Sequence, residues 1–273
     1  MRFISKGKVF MLSYQHIYHA GNLADVHKHT ALAVLLTAMK AKDKPISYME
    51  THAGRGLYNL MSEEAIKTGE AELGIIDCLK HKRHLLDKDY LAAVEKVQKI
   101  LGKEFYPGSL MLARILLRDE DELNLMELHP QEYAALHHIM FDFKNVHTHK
   151  RDGYEGVLAL APRRPPNPSR GFVLIDPSYE VKEEYDKVVS FIAKLHKKWE
   201  TAVVMLWYPI LKEGYHKDMV AKLAGMGLSK TYSNEVTFSV LKDKEGIKGS
   251  GVFVLNMPFG AEKKLDNIGS MFV

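Results

Sequence analysis

The stretch Gly171-Phe172-Val173-Leu174-Ile175-Asp176-Pro177-Ser178-Tyr179 passes from an unbroken apolar segment straight into an aspartate and a proline. A short apolar run without alternation predicts a strand buried on both faces, the kind found in parallel sheets covered by helices. Pro177 stops it, because proline has no N–H to give a ladder. An acid at the carboxyl end of such a strand lies where open α/β sheets bind their ligands.

Working outward, the same signature recurs. Ile46 to Glu50 is a strand between Pro45 and the turn-forming Thr51-His52-Ala53-Gly54-Arg55-Gly56. Leu123 to Leu128 carries Glu127 near its end, and His129-Pro130 opens a helix. Val146 to Lys150 is followed by Asp152-Gly153, and Ala202 to Trp207 by Tyr208-Pro209. Helical patterns lie between them: Leu32 to Met39, Ser62 to Leu101, Pro107 to Leu117, Lys182 to Lys197 and Lys212 to Ala224. Strands alternating with helices predict a doubly wound, mostly parallel sheet. Val236 to Val240 and Val252 to Asn256 have no helix between them and predict a closing antiparallel hairpin. A parallel sheet that ends in such a hairpin is the arrangement of Rossmann-like methyltransferases.

Composition sets outer limits. A chain of 273 residues, 46% hydrophobic, can bury a large core. No apolar run approaches the roughly 18 residues needed to span a bilayer, and Met1 to Phe10 lacks the pattern of a signal peptide. The single cysteine, Cys78, forms no internal disulfide and fits a reducing compartment. The expected location is the cytoplasm. A net charge of +4 suits a nucleic-acid partner but equally suits many enzymes with small substrates. The proline-rich Ala161 to Arg170 reads as a stiff basic loop; its arginines Arg163, Arg164 and Arg170 either touch phosphates or are solvated.

The strand ends gather His52 and Gly54, Glu127, Asp152, Asp176 and Tyr208 at one edge of the sheet. A carboxylate after the second strand is where a nucleoside ribose is held through its hydroxyls. Gly54 and Glu127 are 73 positions apart (127 − 54), against about 20 in a simple dinucleotide fold. The helical stretch from Ser62 to Phe105 accounts for the excess as an insertion.

Asp176-Pro177-Ser178-Tyr179 fits chemistry at an aromatic amine. The lone pair of such an amine is delocalised into its ring, so transfer to it needs alignment and acceptors for its hydrogens. A carboxylate and a backbone carbonyl supply both. Proline stiffens the turn, and an aromatic gives a flipped base a stacking platform. The other reading of these four residues is a helix N-terminal turn, with Asp176 as cap and Tyr179 as packing.

The motifs Met11-Leu12-Ser13-Tyr14-Gln15-His16, His19-Ala20-Gly21-Asn22, Asp25-Val26 and Lys28-His29 open a longer ordered series. It continues through Lys42-Asp43-Lys44-Pro45, Thr51-His52-Ala53-Gly54, Thr68-Gly69-Glu70, Tyr106-Pro107-Gly108-Ser109 and Glu127-Leu128-His129-Pro130. Asp152-Gly153, Ile175-Asp176-Pro177, Leu206-Trp207-Tyr208-Pro209 and Gly249-Ser250-Gly251 complete it. From Met11 to Pro258 this series resembles the RlmJ family of adenine-N6 methyltransferases acting on 23S ribosomal RNA.

The resemblance implies an α/β, Rossmann-like S-adenosylmethionine-dependent methyltransferase fold with an inserted helical subdomain. The expected division is an N-terminal extension over 1–10, a methyltransferase domain over 11–61 and 106–258, the insertion over 62–105 and a C-terminal tail over 259–273. It implies cofactor contacts at His29, His52, Ser109, Glu127, Asp152 and Gly153, to which the turn glycine Gly54 and the loop carboxylate Asp176 are added. It implies catalysis at Asp176, helped by the Pro177 carbonyl and Tyr179, and an RNA contact at Tyr14. The expected substrate is 23S ribosomal RNA before full ribosome assembly, and the expected state is a monomer with no membrane association. Family members have also been described as involved in catabolism of external DNA, which nothing in these residues requires.

Two departures stand out. The family has Asp-Pro-Pro-Tyr where this chain has Ser178, and its members begin at the methionine matching Met11. Met1 to Phe10 is therefore expected to be an extension, or an upstream start, that packs loosely. The alternatives are a DNA adenine-N6 methyltransferase and a non-catalytic nucleic-acid-binding protein linked to use of external DNA. His27, Lys28 and His29 lack any companion ligand pattern, so no metal is expected. His81 and His84 read as solvated, and Trp207 as either core or base-pocket wall.

Overall fold

The computed structural model describes the backbone of 2–5 and 8–11, and residues 14–165, 167–241 and 246–272. Strands β1 (Arg2–Ser5) and β2 (Lys8–Met11) form an antiparallel hairpin. The packing expected of the Met1 to Phe10 side chains lies outside the described residues.

Helix α1 (Leu23–Lys40) is buried over almost its whole length, and its second half is apolar nearly all round. Asn22 caps it, its side chain accepting from the Asp25 N–H at 2.8 Å. The helix thus begins well before the apolar run at Leu32. Asp25, His27, Lys28 and His29 hide its first turns from a hydrophobic pattern, yet all four are buried.

Then come β3 (Ile46–Glu50), β4 (Leu57–Asn59), α2 (Glu63–Thr68), α3 (Asp77–His81), α4 (Lys88–Leu101) and β5 (Phe105–Pro107). Between α2 and α3 the chain kinks at a non-helical Gly74 within Glu72–Ile76. The helical segment leaves and returns through the antiparallel β4–β5 pair. Tyr90, Ala93, Val94 and Val97 form the buried stripe of α4, and Tyr90 and Val94 join the same core as α1.

The remaining elements are α5 (Ser109–Leu116), β6 (Glu122–Met126), α6 (Pro130–Met140), β7 (Val146–His149), α7 (Gly153–Leu160), β8 (Arg170–Ile175) and α8 (Glu183–Lys198). They are followed by β9 (Val203–Ile210), α9 (Tyr215–Ala224), β10 (Tyr232–Thr237), β11 (Gly249–Leu255) and α10 (Glu262–Ile268). The main sheet has seven strands in the order β10-β11-β9-β8-β3-β6-β7. Pairs from β9 through β7 are parallel, whereas β11 runs antiparallel to β9 and to β10. This is the Rossmann-like methyltransferase architecture, with the closing hairpin that the sequence predicts. The chain moves outward from β3 to β6 and β7, then returns to β8 on the other side, so the switch point lies between β3 and β8.

Among the later boundaries that differ from expectation, three have a local cause. β9 does not stop before Pro209 but runs to Ile210. Its pairing with β8 ends at Leu206, so the missing proline donor falls where one edge of β9 is open. β10 lies earlier than Val236 to Val240, because Tyr232, Asn234 and Val236 are its inward positions and its outward ones are exposed. Helix α9 starts at Tyr215 because Gly214 before it adopts φ 69°. At the end of the chain, Leu265, Ile268, Met271 and Phe272 are buried, and α10 packs on α1.

Candidate active site

The carboxyl ends of β3, β6, β7, β8 and β9 open into one cavity of about 440 Å³. Its wall brings together Tyr14, His29, His52, Gly54, Ser109, Glu127, Asp152, Gly153, Asp176, Pro177 and Tyr179. Residues spread from position 14 to position 179 thus meet at the topological switch point.

The loop after β3 is tied to both neighbouring strands. Thr51 N–H donates to the Leu174 carbonyl at 3.1 Å and Ala53 N–H to that of Met126 at 3.0 Å. Gly54 turns with φ 63°, and its N–H donates to Glu127 Oε2 at 2.8 Å. The other Glu127 oxygen accepts from the His129 N–H at 2.7 Å. Glu127 therefore clamps two loops while lining the cavity. A carboxylate offers about four acceptor sites, so capacity remains for a ligand hydroxyl. Burial raises its pKa against these backbone bonds.

Asp152 caps α7, accepting from the Glu155 N–H at 3.0 Å. Gly153 follows because a β-carbon there would collide with the Thr51 carbonyl. His52 bonds the Thr51 hydroxyl at 2.8 Å and meets the edge of Tyr154; burial lowers its pKa. Ser109, at the start of α5, donates to the buried Glu50. His29 bonds the Tyr106 hydroxyl at 2.6 Å, and burial lowers its pKa to about 3, keeping it neutral.

Across the cavity, the loop after β8 presents Asp176 and Pro177. Tyr179 has φ 53°, and its hydroxyl donates to the Trp207 carbonyl at 2.9 Å. Its ring packs on Tyr185 and against the edge of Trp207. Trp207 is both core and wall: its indole N–H donates to Ser250 at 2.8 Å, and it lines the cavity.

A polar chain runs from the rim to this loop. The Tyr14 hydroxyl bonds His16 Nδ1 at 2.8 Å, and His16 Nε2 meets Asp25 Oδ2 at 2.8 Å. Asp25 Oδ1 is 3.0 Å from Lys28 Nζ, which donates to Asp176 Oδ2 at 2.6 Å. Burial pushes the Asp25 carboxyl up, but His16, Lys28 and His29 outweigh it and hold its pKa well below normal. Burial likewise works against the Lys28 charge, and Asp176 with Asp25 more than restores it.

Asp25, His16 and Glu50 carry no assignment from sequence, and Lys28 only the rejected metal reading. One signal was available: charged residues spaced i and i+3 on a helix otherwise too apolar to be exposed. Among the described residues no cluster of His, Cys, Asp or Glu suits a metal ion. The basic loop lies elsewhere. Arg170 donates to the Lys44 and Met39 carbonyls and Arg163 to Glu122, at the opposite end of the sheet from the cavity.

Residues 43–273 match the family model described as ribosomal RNA large subunit methyltransferase D, RlmJ. The ribosomal RNA large subunit methyltransferase J of Escherichia coli is 38% identical over 94% of this chain and 91% of its own. That of Haemophilus influenzae is 38% identical over 94% of this chain and 92% of its own. A crystal structure of a Legionella pneumophila protein, 33% identical, superposes with a TM-score of 0.82 over 92% of each chain.

Proposed function

This chain belongs to the ribosomal RNA large subunit methyltransferase family RlmJ, and from that premise we propose that it methylates N6 of an adenine in 23S ribosomal RNA. It is an S-adenosylmethionine-dependent methyltransferase. The observation that carries the substrate reading is the Asp176-Pro177-Ser178-Tyr179 loop facing, across one cavity, the Glu127, Asp152, His52 and Ser109 wall.

The cavity fits the cofactor. Its volume of about 440 Å³ lies in the range of about 300–1,000 Å³ typical of small-molecule sites. His129 Nδ1 is buried without a partner on this wall, beside the Glu127 carboxylate that suits a ribose. The carboxylates Asp152 and Asp176 suit an ammonium group and a sulfonium. When bound, S-adenosylmethionine supplies an electrophilic methyl group on that sulfonium. Glu127 is assigned to the ribose, and Asp152, Gly153, Ser109, His52, Gly54 and His29 to the remaining cofactor contacts.

Asp176 and the Pro177 carbonyl accept the two amine hydrogens, orienting the nitrogen lone pair toward the methyl. Asp176 Oδ2 is already held by Lys28, so Oδ1 is the oxygen assigned to the amine. As the nitrogen gains its methyl it must lose a proton, and Asp176 is the acceptor assigned. Tyr179 and Trp207 form the aromatic wall beside the base, and Tyr14 contacts the RNA at the rim. Segment 62–105 is assigned as an inserted subdomain of a methyltransferase domain built from 11–61 and 106–258, flanked by an extension over 1–10 and a tail over 259–273. No described helix is long and apolar enough to cross a membrane. We assign the enzyme to the cytoplasm as a monomer acting on RNA before ribosome assembly is complete.

The test is methyl transfer from labelled cofactor to unmodified 23S ribosomal RNA. Asp176→Ala should lose turnover while binding S-adenosylhomocysteine as the wild type does; normal methylation would overturn the role of Asp176. Naked DNA serves as the competing substrate. Absence of S-adenosylhomocysteine binding by calorimetry would instead favour a non-catalytic binding protein.

A further inference from the structure

Residues 14–22 form part of the cavity rim, and the inserted segment grips them from outside. Glu70 stands just past α2, where Gly69 turns the chain with φ 63°. Its carboxylate accepts from His19 Nδ1 at 2.8 Å and from Asn22 Nδ2 at 2.9 Å. Around it, Thr68 donates to the Tyr18 carbonyl, and Ile75 N–H donates to the Gly21 carbonyl at 2.8 Å. Gly74 lets these segments meet, since a β-carbon there would strike that same carbonyl.

The His19 ring lies parallel to Tyr14, with centroids 5.7 Å apart and planes 8° apart. Tyr14 is held at its other end by the bond from its hydroxyl to His16. Glu70 therefore fixes the plane of His19, and His19 fixes the plane of Tyr14. Both His19 and Glu70 are more than a third exposed, so the bond adds little to global stability. Its consequence is geometric. It also favours the protonated ring: Glu70 raises the His19 pKa through its hydrogen bond, against burial, and Asp25 pulls the same way from α1. Tyr14, the other neighbour, stays neutral because burial raises its own pKa.

We propose that Glu70 is a positioning residue for the RNA substrate: it holds His19 so that the parallel Tyr14–His19 pair stands as a preset stacking platform for a nucleotide at the cavity mouth. This rests on Tyr14 being an RNA contact, and it gives the inserted segment a defined task at the reaction. Two parallel flat rings suit a base, which can stack on either of them.

The experiment compares Glu70→Ala, Tyr14→Ala and the double variant in methyl transfer to unmodified 23S ribosomal RNA, with S-adenosylhomocysteine affinity measured on each. Losing a charge-assisted hydrogen bond should raise the KM for RNA about tenfold in Glu70→Ala, with kcat and cofactor affinity within about twofold of wild type. In the Tyr14→Ala background the same change should add nothing, the signature of a shared platform. Glu70→Gln, which keeps the shape and loses the charge, should fall between. Additive effects in the double variant, an unchanged KM, or loss of cofactor affinity alongside activity would each overturn the proposal. Wild-type protein that fails to methylate the RNA would overturn the functional reading and this inference together, and it is read in the first arm.

Discussion

Lys28 Nζ lies 2.6 Å from Asp176 Oδ2 and 3.0 Å from Asp25 Oδ1, so one buried ammonium joins helix α1 to the loop after β8. Two carboxylates in a desolvated site are tolerated because this cation sits between them. Lys28→Met removes it and leaves Asp25 with its bonds to His16 and the Gly21 N–H, and Asp176 with no ion pair among the described residues. Breaking a buried pair in this way costs about 3–5 kcal/mol. Urea unfolding should show that loss, and turnover should fall by at least about tenfold as the acceptor is no longer held in place. Lys28→Arg, which keeps the charge, should recover most of the stability. An unfolding midpoint unchanged in Lys28→Met would show that the ammonium is not what holds the loop.

Ser178 occupies the position where the family pattern has a second proline. Its side chain is exposed, and no hydrogen bond involving it is found among the described residues. Restoring the proline should therefore cost no bond and should stiffen the unfolded chain. Ser178→Pro is expected to stabilise by about 0.4–1 kcal/mol and to leave kcat within about twofold, because the groups assigned to the amine are Asp176, the Pro177 carbonyl and Tyr179. A destabilised variant would mean that the backbone at 178 cannot take the proline angle.

What the sequence makes legible here follows from periodicity. Buried parallel strands are continuous apolar runs, so β3, β8 and β9 stand out, and the acids at strand ends point to one edge of the sheet. The segment Asp176 to Tyr179 is readable because a strand, an acid and a proline follow in direct order. What is not legible depends on long-range pairing. Nothing in the neighbourhood of Lys28 names Asp176, 148 positions away. Glu50 reads as the last residue of a strand, and its role appears only when Ser109 arrives from another helix. The first turns of α1 and the place of β10 are obscured for a related reason: both bury polar residues, or bury only one face, and so break the apolar pattern.

Gly153 tests the link between backbone packing and cofactor binding. A methyl group there has no room, because the Thr51 carbonyl occupies its place. Gly153→Ala must push the start of α7 away from the β3 loop, displacing Asp152, His52 and Gly54 together. The loss should appear in cofactor affinity, by at least about tenfold, since a displacement of about 1 Å in a positioning group is enough for large effects. The β3–β8 ladder should hold, so far-ultraviolet circular dichroism should be unchanged. Normal affinity for S-adenosylhomocysteine in this variant would show that the contact between the two loops is not what shapes the site.

Glu50 gives the fold a pH dependence with a definite sign. It is fully buried at the end of β3, accepting from the Tyr48 hydroxyl at 2.8 Å and from Ser109. Burial pushes its pKa up to about 8, against the two hydroxyls that favour its charge. A carboxyl raised in the folded state binds its proton more tightly there than in the unfolded chain, where the value is about 4.3. Its stability contribution is complete below the unfolded value and is lost as pH rises through the folded one. Between about pH 4.5 and 8 the wild type should therefore lose stability on the order of a few kcal/mol from this group. Glu50→Gln cannot ionise, and either hydroxyl can turn to accept from its amide. Its urea midpoint should be nearly flat across that window apart from other titrating groups, and it should gain on the wild type steadily as pH rises toward 8. Parallel pH profiles for the two proteins would mean that Glu50 is already charged in the folded state, held by Tyr48 and Ser109 alone.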